Sequence, residues 1–529
     1  MKRRGIQAIA LAAFGFILMI TNPWFSFIDD EVNVVVTATQ PVSNTIALFV
    51  SGGGQHEHPP LSDILLHYWL WITTANLTWL RLFGVVFFLA GLWILAETAY
   101  AVSERDPAAY LTLTVGILWP YGFHFGRLAI WYSFSFFLVA LLTYARVKLD
   151  LDWKLHHLAG FTFAALALIY TNYFGWTLIA CMLLDFAISR KTTRRTAAMM
   201  VGVVLFLVVA YVPIMSSFVN TLENRLPVAG QGVWGRVLYF GFNLYCVFVS
   251  ESVAPWIWPL SIPVGLAITY TIVWVLWRGP GFARRLFIYF LGLMLLMSLL
   301  GILNTKRLLL LSCWLLLPLA LTLDALLGKC GSQVVNVEAS DNRGTRRLAF
   351  AVVLIAAIGW AGIITRRFYS APHFIEPWRQ VADDAAAVVR NGGEVISNSR
   401  PFLFYLSYEL GAQRQVSNWS PADWADSINA LVLSPSRWAS ARRPAPPEVM
   451  LVQGTAFGDD SMAQMKDTEQ WLEQKCHLRD TRHLLPNPGY EWKHRFFPEA
   501  GQLPWRIEIR SYQCPVTFKV PALEKSATW

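Results

Sequence analysis

The chain has 529 residues, 55% of them hydrophobic and only 15% charged, and its mean hydropathy is +0.43. Since about 25% of an ordinary soluble domain is charged, this composition excludes a conventional water-soluble enzyme. The net charge of +9 does not mark a nucleic-acid binder, because the basic residues sit in short clusters between apolar runs and not in one patch.

In chain order, Met1 to Arg4 is a basic start followed by an apolar run over residues 6–20. A cleaved signal peptide has the same pattern, but no small-x-small site follows in Thr21-Asn22-Pro23-Trp24-Phe25, which favours an uncleaved first span entering from the cytoplasm. Residues 23–60 are too polar to span. They hold Asp29-Asp30-Glu31, then Ser51-Gly52-Gly53-Gly54, then Gln55-His56-Glu57-His58-Pro59-Pro60. Residues 61–71 are short, apolar and aromatic, as a helix lying in the membrane interface would be. The second span is expected at 77–99. Others follow at 108–123, 128–147, 157–172, 173–188, 197–215, 255–277, 286–303, 308–327 and 348–364, which makes about 11 spans.

The orientation follows from charge. Counted from a cytoplasmic start, the loops at 190–195, 278–285 and 329–347 all fall inside, and each is basic. Everything after residue 364 then lies outside. There the composition changes: no spanning segment occurs, and residues 393–397, 430–434, 449–454 and 506–512 read as strands between helices at 378–389 and 461–476. Such interleaving predicts a small α/β domain. The expected fold is therefore a polytopic α-helical membrane protein (residues 1–364, with the outer loop 23–60) carrying a C-terminal extracytoplasmic α/β domain (residues 365–529). Of six cysteines, only Cys476 and Cys514 share the outer domain, where an oxidising compartment would let them pair.

The candidate chemistry gathers at the outer face. Asp29-Asp30-Glu31 follows the first span and reads either as a solvated or helix-capping acidic run or as the source of a general base. His58-Pro59-Pro60 ends the same loop, its prolines fixing the chain where it returns to the membrane. His56, Glu57 and His58 are weak candidates for metal ligands, since near-consecutive ligands rarely converge on one ion. Lys306-Arg307 suits an anion at the interface, or else snorkels toward headgroups. Glu223, Asn224 and Arg225 sit in the loop between the seventh and eighth spans, and Arg81 reads as a structural interfacial arginine.

An acidic pair in a long first outer loop, then His58-Pro59-Pro60-Leu61 and an aromatic interfacial helix, resembles bacterial members of the dolichyl-phosphate-mannose protein mannosyltransferase and aminoarabinose transferase superfamily. Trp79-Leu80-Arg81-Leu82-Phe83-Gly84 adds to this resemblance. Weaker echoes lie at Gly126-Arg127-Leu128-Ala129, Tyr170-Thr171-Asn172-Tyr173-Phe174-Gly175, Lys306-Arg307-Leu308-Leu309 and Glu376-Pro377-Trp378-Arg379. The chain departs from the family's pattern at Tyr132, Asn172 and Leu308.

The resemblance implies a GT-C membrane fold and an inverting glycosyltransferase at the outer face of a bacterial inner membrane. The donor would be a polyprenyl-phosphate-linked sugar and the acceptor a lipid, glycan or protein, with membrane lipids as the other partners. Asp30 would be the base, with Asp29 its alternative and Glu31 the second acid of the motif. His58, Arg127, Asn172, Tyr173, Lys306 and Arg307 would contact substrate, the last two holding the donor phosphate. The resemblance fixes no cofactor and leaves a divalent metal open, the transfer being metal-independent or metal-assisted. A transporter or flippase of a lipid-linked or anionic substrate is the competing reading, disfavoured because no internal repeat is visible and the polar clusters lie at one interface. A non-catalytic envelope scaffold is the third.

Overall fold

The computed structural model describes residues 2–24, 29–51, 58–73, 77–188, 193–224, 233–327, 342–365, 378–397, 402, 406, 448–454, 459–484 and 507–515. His56, Glu57, Arg225, Cys330 and the expected strand at 430–434 lie outside the described residues. The chain divides into two units: Met1–Asn22, Val42–Trp69 and Thr78–Phe368 form one, and Pro23–Pro41, Leu70–Leu77 and Tyr369–Trp529 the other.

The first unit is helical. Its helices are α1 (Lys2–Ile20), α3 (Val42–Val50), α4 (Leu61–Ile72), α5 (Leu77–Ser103), α6 (Asp106–Leu118), α7 (Pro120–Phe125), α8 (Trp131–Leu151), α9 (Leu155–Ile169), α10 (Gly175–Ile188), α11 (Arg194–Tyr211), α12 (Met215–Asn224), α13 (Val233–Val249), α14 (Trp258–Arg278), α15 (Gly281–Leu299), α16 (Cys313–Leu327) and α17 (Asn342–Ile364). The numbering leaves α2 (Asp29–Ala38) for the other unit. Seven helical stretches among the described residues are long and apolar enough to cross a membrane: 3–20, 77–103, 194–221, 258–278, 281–299, 305–327 and 346–364. Each coincides with an expected span, and the chain is a multi-pass membrane protein.

The other four expected spans differ in form. Pro120 cannot donate to a helix and pushes Trp119 into an extended conformation (φ −77°, ψ 111°), so the third is broken into α6 and α7. The fourth, α8, has 21 residues but carries Arg146, Lys148 and Asp150 in its last two turns. The fifth and sixth, α9 and α10, have 15 and 14 residues. α13, which hydropathy did not reveal, packs against α7, α15 and α17.

α16 is apolar apart from Thr322 and Asp324 and almost wholly buried, as the central helix of a bundle must be. Gly84 on α5 lets the backbone of the α7–α8 turn cross close by, because a Cβ there would collide with the Leu128 carbonyl oxygen. A buried ion network ties three helices together: Asp185 of α10, fully buried, meets Arg146 of α8 at 3.0 Å and Arg285 of α15 at 2.5 Å, while Asp150 lies 3.7 Å from Arg146.

The second unit contains α2, α18 (Trp378–Arg390), α19 (Asp459–Lys475) and a four-stranded sheet. Its strands are β1 (Glu394–Ser397), β2 (Glu448–Gly454), β3 (His477–Leu484) and β4 (Ile507–Gln513), in the order β1-β2-β4-β3. β1 runs parallel to β2, and the other two pairings are antiparallel, with Val449 opposite Tyr512. Ile396, Val449, Leu451, Leu472 and Tyr512 form its core, against which Trp471 packs. A disulfide joins Cys476, just after α19, to Cys514, just after β4. Arg510 binds Glu508 at 2.5 Å and Glu473 at 2.7 Å, and also pairs with Glu469.

Candidate functional site

Three segments far apart in sequence meet in the first unit, and a fourth packs on α8, which begins with the third. The first is the turn His58-Pro59-Pro60. Its prolines have no N–H, so the first free donor is Leu61, which bonds the carbonyl of Tyr170 at 2.9 Å. That bond fastens the turn to the second segment, the α9–α10 connection Tyr170-Thr171-Asn172-Tyr173. Pro60 in turn accepts from Ile64 at 3.0 Å and starts α4.

His58 is buried. Its Nδ1 lies 3.1 Å from the Pro59 carbonyl, its Nε2 lies 3.9 Å from Asp63 Oδ1, and its ring is 5.7 Å from that of Trp131 at the start of α8, the third segment. Asp63 is only 2% exposed, and burial pushes its carboxyl up to about 6, against the opposing pull of His58 and the Ser62 hydroxyl. Asn172 accepts from the Phe174 N–H at 2.8 Å, while its buried amide nitrogen has no partner among the described residues. The Tyr173 hydroxyl meets Ser217 of α12 at 3.0 Å.

The fourth segment is the 3-10 stretch Thr305–Ser312, which leads into α16 and carries Lys306 and Arg307. Asn304 caps it, accepting from the Lys306 N–H at 3.1 Å. Both basic side chains are half-buried, and Arg307 reaches the Ile302 carbonyl at 3.4 Å. Tyr121 of α7 donates its hydroxyl to the Thr305 carbonyl. Trp119 and Pro120, immediately before it, line an apolar groove of about 180 Å³ whose other walls come from α6, α13, α14, α16 and α17.

Arg127 is wholly buried, away from that groove. It donates to the carbonyls of Phe123 (3.0 Å) and Leu18 (3.1 Å) and to the Thr21 hydroxyl (2.9 Å). Arg81, also fully buried, donates to the Asn22 carbonyl at 3.2 Å. Together they satisfy carbonyls at the end of α1 that no longer have an intrahelical donor. Asp29, Asp30 and Glu31 form the first turn of α2 in the second unit; Glu31 is buried, and the side chains of Asp29 and Asp30 lie outside the described residues, as do those of Glu223 and Asn224. Among the described residues no three His, Cys, Asp or Glu side chains converge as a metal site requires.

Sequence reading missed several residues here. Tyr121, Asn243 and Thr305 meet only in three dimensions. Asp63 lay within the expected interfacial helix at 61–71 without being singled out. His124 bonds Ser250 at 2.8 Å, and Ser250 adopts a left-handed φ of 62°. The polar triplet Ser250-Glu251-Ser252 inside an aromatic run was its only visible signal.

No protein-family model matches the chain, and no curated protein matches it in sequence. Among solved structures it is similar to ArnT from Cupriavidus metallidurans bound to undecaprenyl phosphate, with a TM-score of 0.51 at 12% identity over 95% of this chain and 97% of that one. The apo ArnT structure gives a TM-score of 0.49 at 12% identity over the same shares, 95% and 97%. The mycobacterial arabinofuranosyltransferase AftD gives 0.39 at 15% identity over 75% of this chain and 29% of that one. The fold shared with undecaprenyl-phosphate-bound ArnT over nearly the full length of both chains is the GT-C fold, and this chain has it: a polytopic helical membrane unit with a smaller sheet-containing unit toward the C-terminus.

Proposed function

We propose that this chain is an inverting glycosyltransferase that moves a sugar from a polyprenyl-phosphate donor to an acceptor at the outer face of the bacterial inner membrane. One observation carries this reading. An apolar groove of about 180 Å³ is lined in part by Trp119-Pro120, and the next residue, Tyr121, donates to the backbone of the segment that bears Lys306-Arg307. An apolar groove one residue away from the tether of a cation-bearing segment suits an amphiphilic anion, and a lipid phosphate is the commonest such molecule in a bilayer. Undecaprenyl phosphate, bound in the ArnT structure of the same fold, has this chemistry.

In this reading the reaction is a single displacement. Asp30 takes the proton of the acceptor, with Asp29 as its alternative and Glu31 as the second acid of the motif. The acceptor oxygen attacks the anomeric carbon, and the bond from that carbon to the phosphate oxygen breaks. Lys306 and Arg307 hold the charge that grows on the departing phosphate. His58, Asn172 and Tyr173 stand on the substrate side, while Arg127 belongs to the scaffold. No step passes through a metal. Residues 1–364, with the outer loop 23–60, are the transferase module, entered from a cytoplasmic N-terminus, and residues 365–529 the extracytoplasmic domain; the acceptor is a lipid, glycan or protein.

The test is incubation of the purified protein with polyprenyl-phosphate sugars and membrane extract, followed by mass spectrometry. A product heavier than its acceptor by one sugar residue, formed as free polyprenyl phosphate appears, supports the reading. Failure to consume any such donor overturns it.

A further inference from the structure

Thr305 immediately precedes Lys306 and is itself only 3% exposed, so it cannot meet a ligand as the two cations do. It is nevertheless held from two sides by helices remote in sequence. Its hydroxyl donates to Asn243 Oδ1 of α13 at 2.9 Å, and its carbonyl accepts from the Tyr121 hydroxyl of α7. The same phenol lies 3.4 Å from the Lys306 carbonyl.

The amide of Asn243 has one orientation that satisfies its surroundings. Its nitrogen donates to the Tyr239 carbonyl at 2.8 Å, which leaves the oxygen facing Thr305. Asn243 and Tyr121 are both fully buried. A buried neutral network of this kind adds little net stability over apolar groups of the same shape, while any member left without its partner is expensive. What it does supply is position. With Asn304 accepting from the N–H of Lys306 at 3.1 Å and from that of Arg307 at 3.0 Å, the backbone under both cations is fixed on every side.

We propose that Thr305, gripped by Asn243 and Tyr121, is the positioning residue that aims Lys306 and Arg307 at a lipid phosphate and thereby makes the site prefer a phosphorylated lipid to an uncharged one. This rests on the assignment of Lys306 and Arg307 made above. Fixed donors bind an anion better than mobile ones because they pay no ordering entropy when the anion arrives.

The probe is farnesyl phosphate, with farnesol as its uncharged control, binding to the full-length protein in nanodiscs. Thr305→Val, which keeps the shape and removes the hydroxyl, should weaken farnesyl phosphate by about tenfold and leave farnesol unchanged. Thr305→Ser should restore the parent's preference. Tyr121→Phe, which deletes one oxygen from the second tether, should act in the same direction and carries the test alone if Thr305→Val does not fold. Equal losses for both probes, or no loss for either, would show that the network only packs the bundle and would overturn the proposal. The double variant Lys306→Met with Arg307→Met separates the two claims. If it keeps the parent's preference for the phosphate, the assignment of the cations fails; if it loses that preference while Thr305→Val and Tyr121→Phe keep it, only the positioning role fails.

Discussion

The backbone N–H of Leu61 donates to the carbonyl of Tyr170 across 2.9 Å, so the proline turn that carries His58 and the helix connection that carries Asn172 and Tyr173 form one rigid piece. Replacing Leu61 by proline removes the only donor in that bond, and a proline at the first position of α4 is otherwise well tolerated. Leu61→Pro should therefore lower transfer activity by about tenfold while the melting temperature changes little, as paired kinetic and thermal measurements would show.

Asp63 makes stability depend on pH in a definite direction. Its folded carboxyl titrates at about 6, above the ordinary 3.8, so between those values the folded chain holds a proton that the unfolded chain has released. Stability is therefore greatest below the lower value, falls as pH rises through this window, and stays reduced above it. Asp63→Asn removes the titration and should stabilise the protein by up to about 3 kcal/mol at pH 8. Thermal scans in detergent at pH 4 to 8 should show the parent's slope and its absence in the variant.

Removing the proposed base should separate chemistry from assembly. Asp30→Asn keeps size and polarity but cannot accept a proton, and transfer should drop by roughly 10²- to 10⁴-fold with normal membrane insertion. Transfer at the parent's rate would move the role to Asp29 or end it.

Arg127 should behave as a scaffold residue. Arg127→Met removes a buried donor from the Leu18 and Phe123 carbonyls and from the Thr21 hydroxyl. A loss of about 3 kcal/mol is expected, seen as lower yield and melting temperature. Arg127→Lys should rescue little, because an ammonium cannot reproduce the planar fork. Molecules that do fold should bind farnesyl phosphate as the parent does.

The disulfide closes a sequence separation of 38 residues. By loop-closure entropy it stabilises the sheet unit by about 4 kcal/mol. Reduction, or Cys514→Ser, should speed proteolysis of residues 365–529 while the membrane helices stay protected.

Much of the fold was legible in the sequence because a bilayer imposes a single strong rule, an apolar run of sufficient length. Seven helices obey it plainly, and α4 announced itself by aromatic content. α13 escaped because Trp234, Arg236, Tyr239 and Asn243 dilute its hydropathy, and Asn243 is polar for the sake of a bond to a residue 62 positions away. β3 escaped because His477-Leu478-Arg479-Asp480-Thr481-Arg482-His483-Leu484 has no alternation to read, its described side chains being exposed on both faces. Within the candidate site, His58 and Lys306-Arg307 stood out by type and place. Tyr121 and Thr305 did not, since residue type alone gives no hint that two positions 184 apart share a hydrogen bond. The guanidinium of Arg127 illustrates the converse: its type suggested a substrate contact, while the bonds it makes to the Phe123 and Leu18 carbonyls and the Thr21 hydroxyl could not be read from type.

The charge network around Asp185 bears on the order in which the chain is built. α10 is synthesised about a hundred residues before Arg285 exists, so the carboxylate of Asp185, buried in the last turn of α10, would otherwise have to wait unpaired. Arg146, already made, spares it: α8 and α10 can pack with that charge already paired. α15 then brings a second cation to an acid already neutralised, and the excess is met by Asp150 at the rim. The ribosome thus delivers the partners in an order that never leaves the buried acid alone.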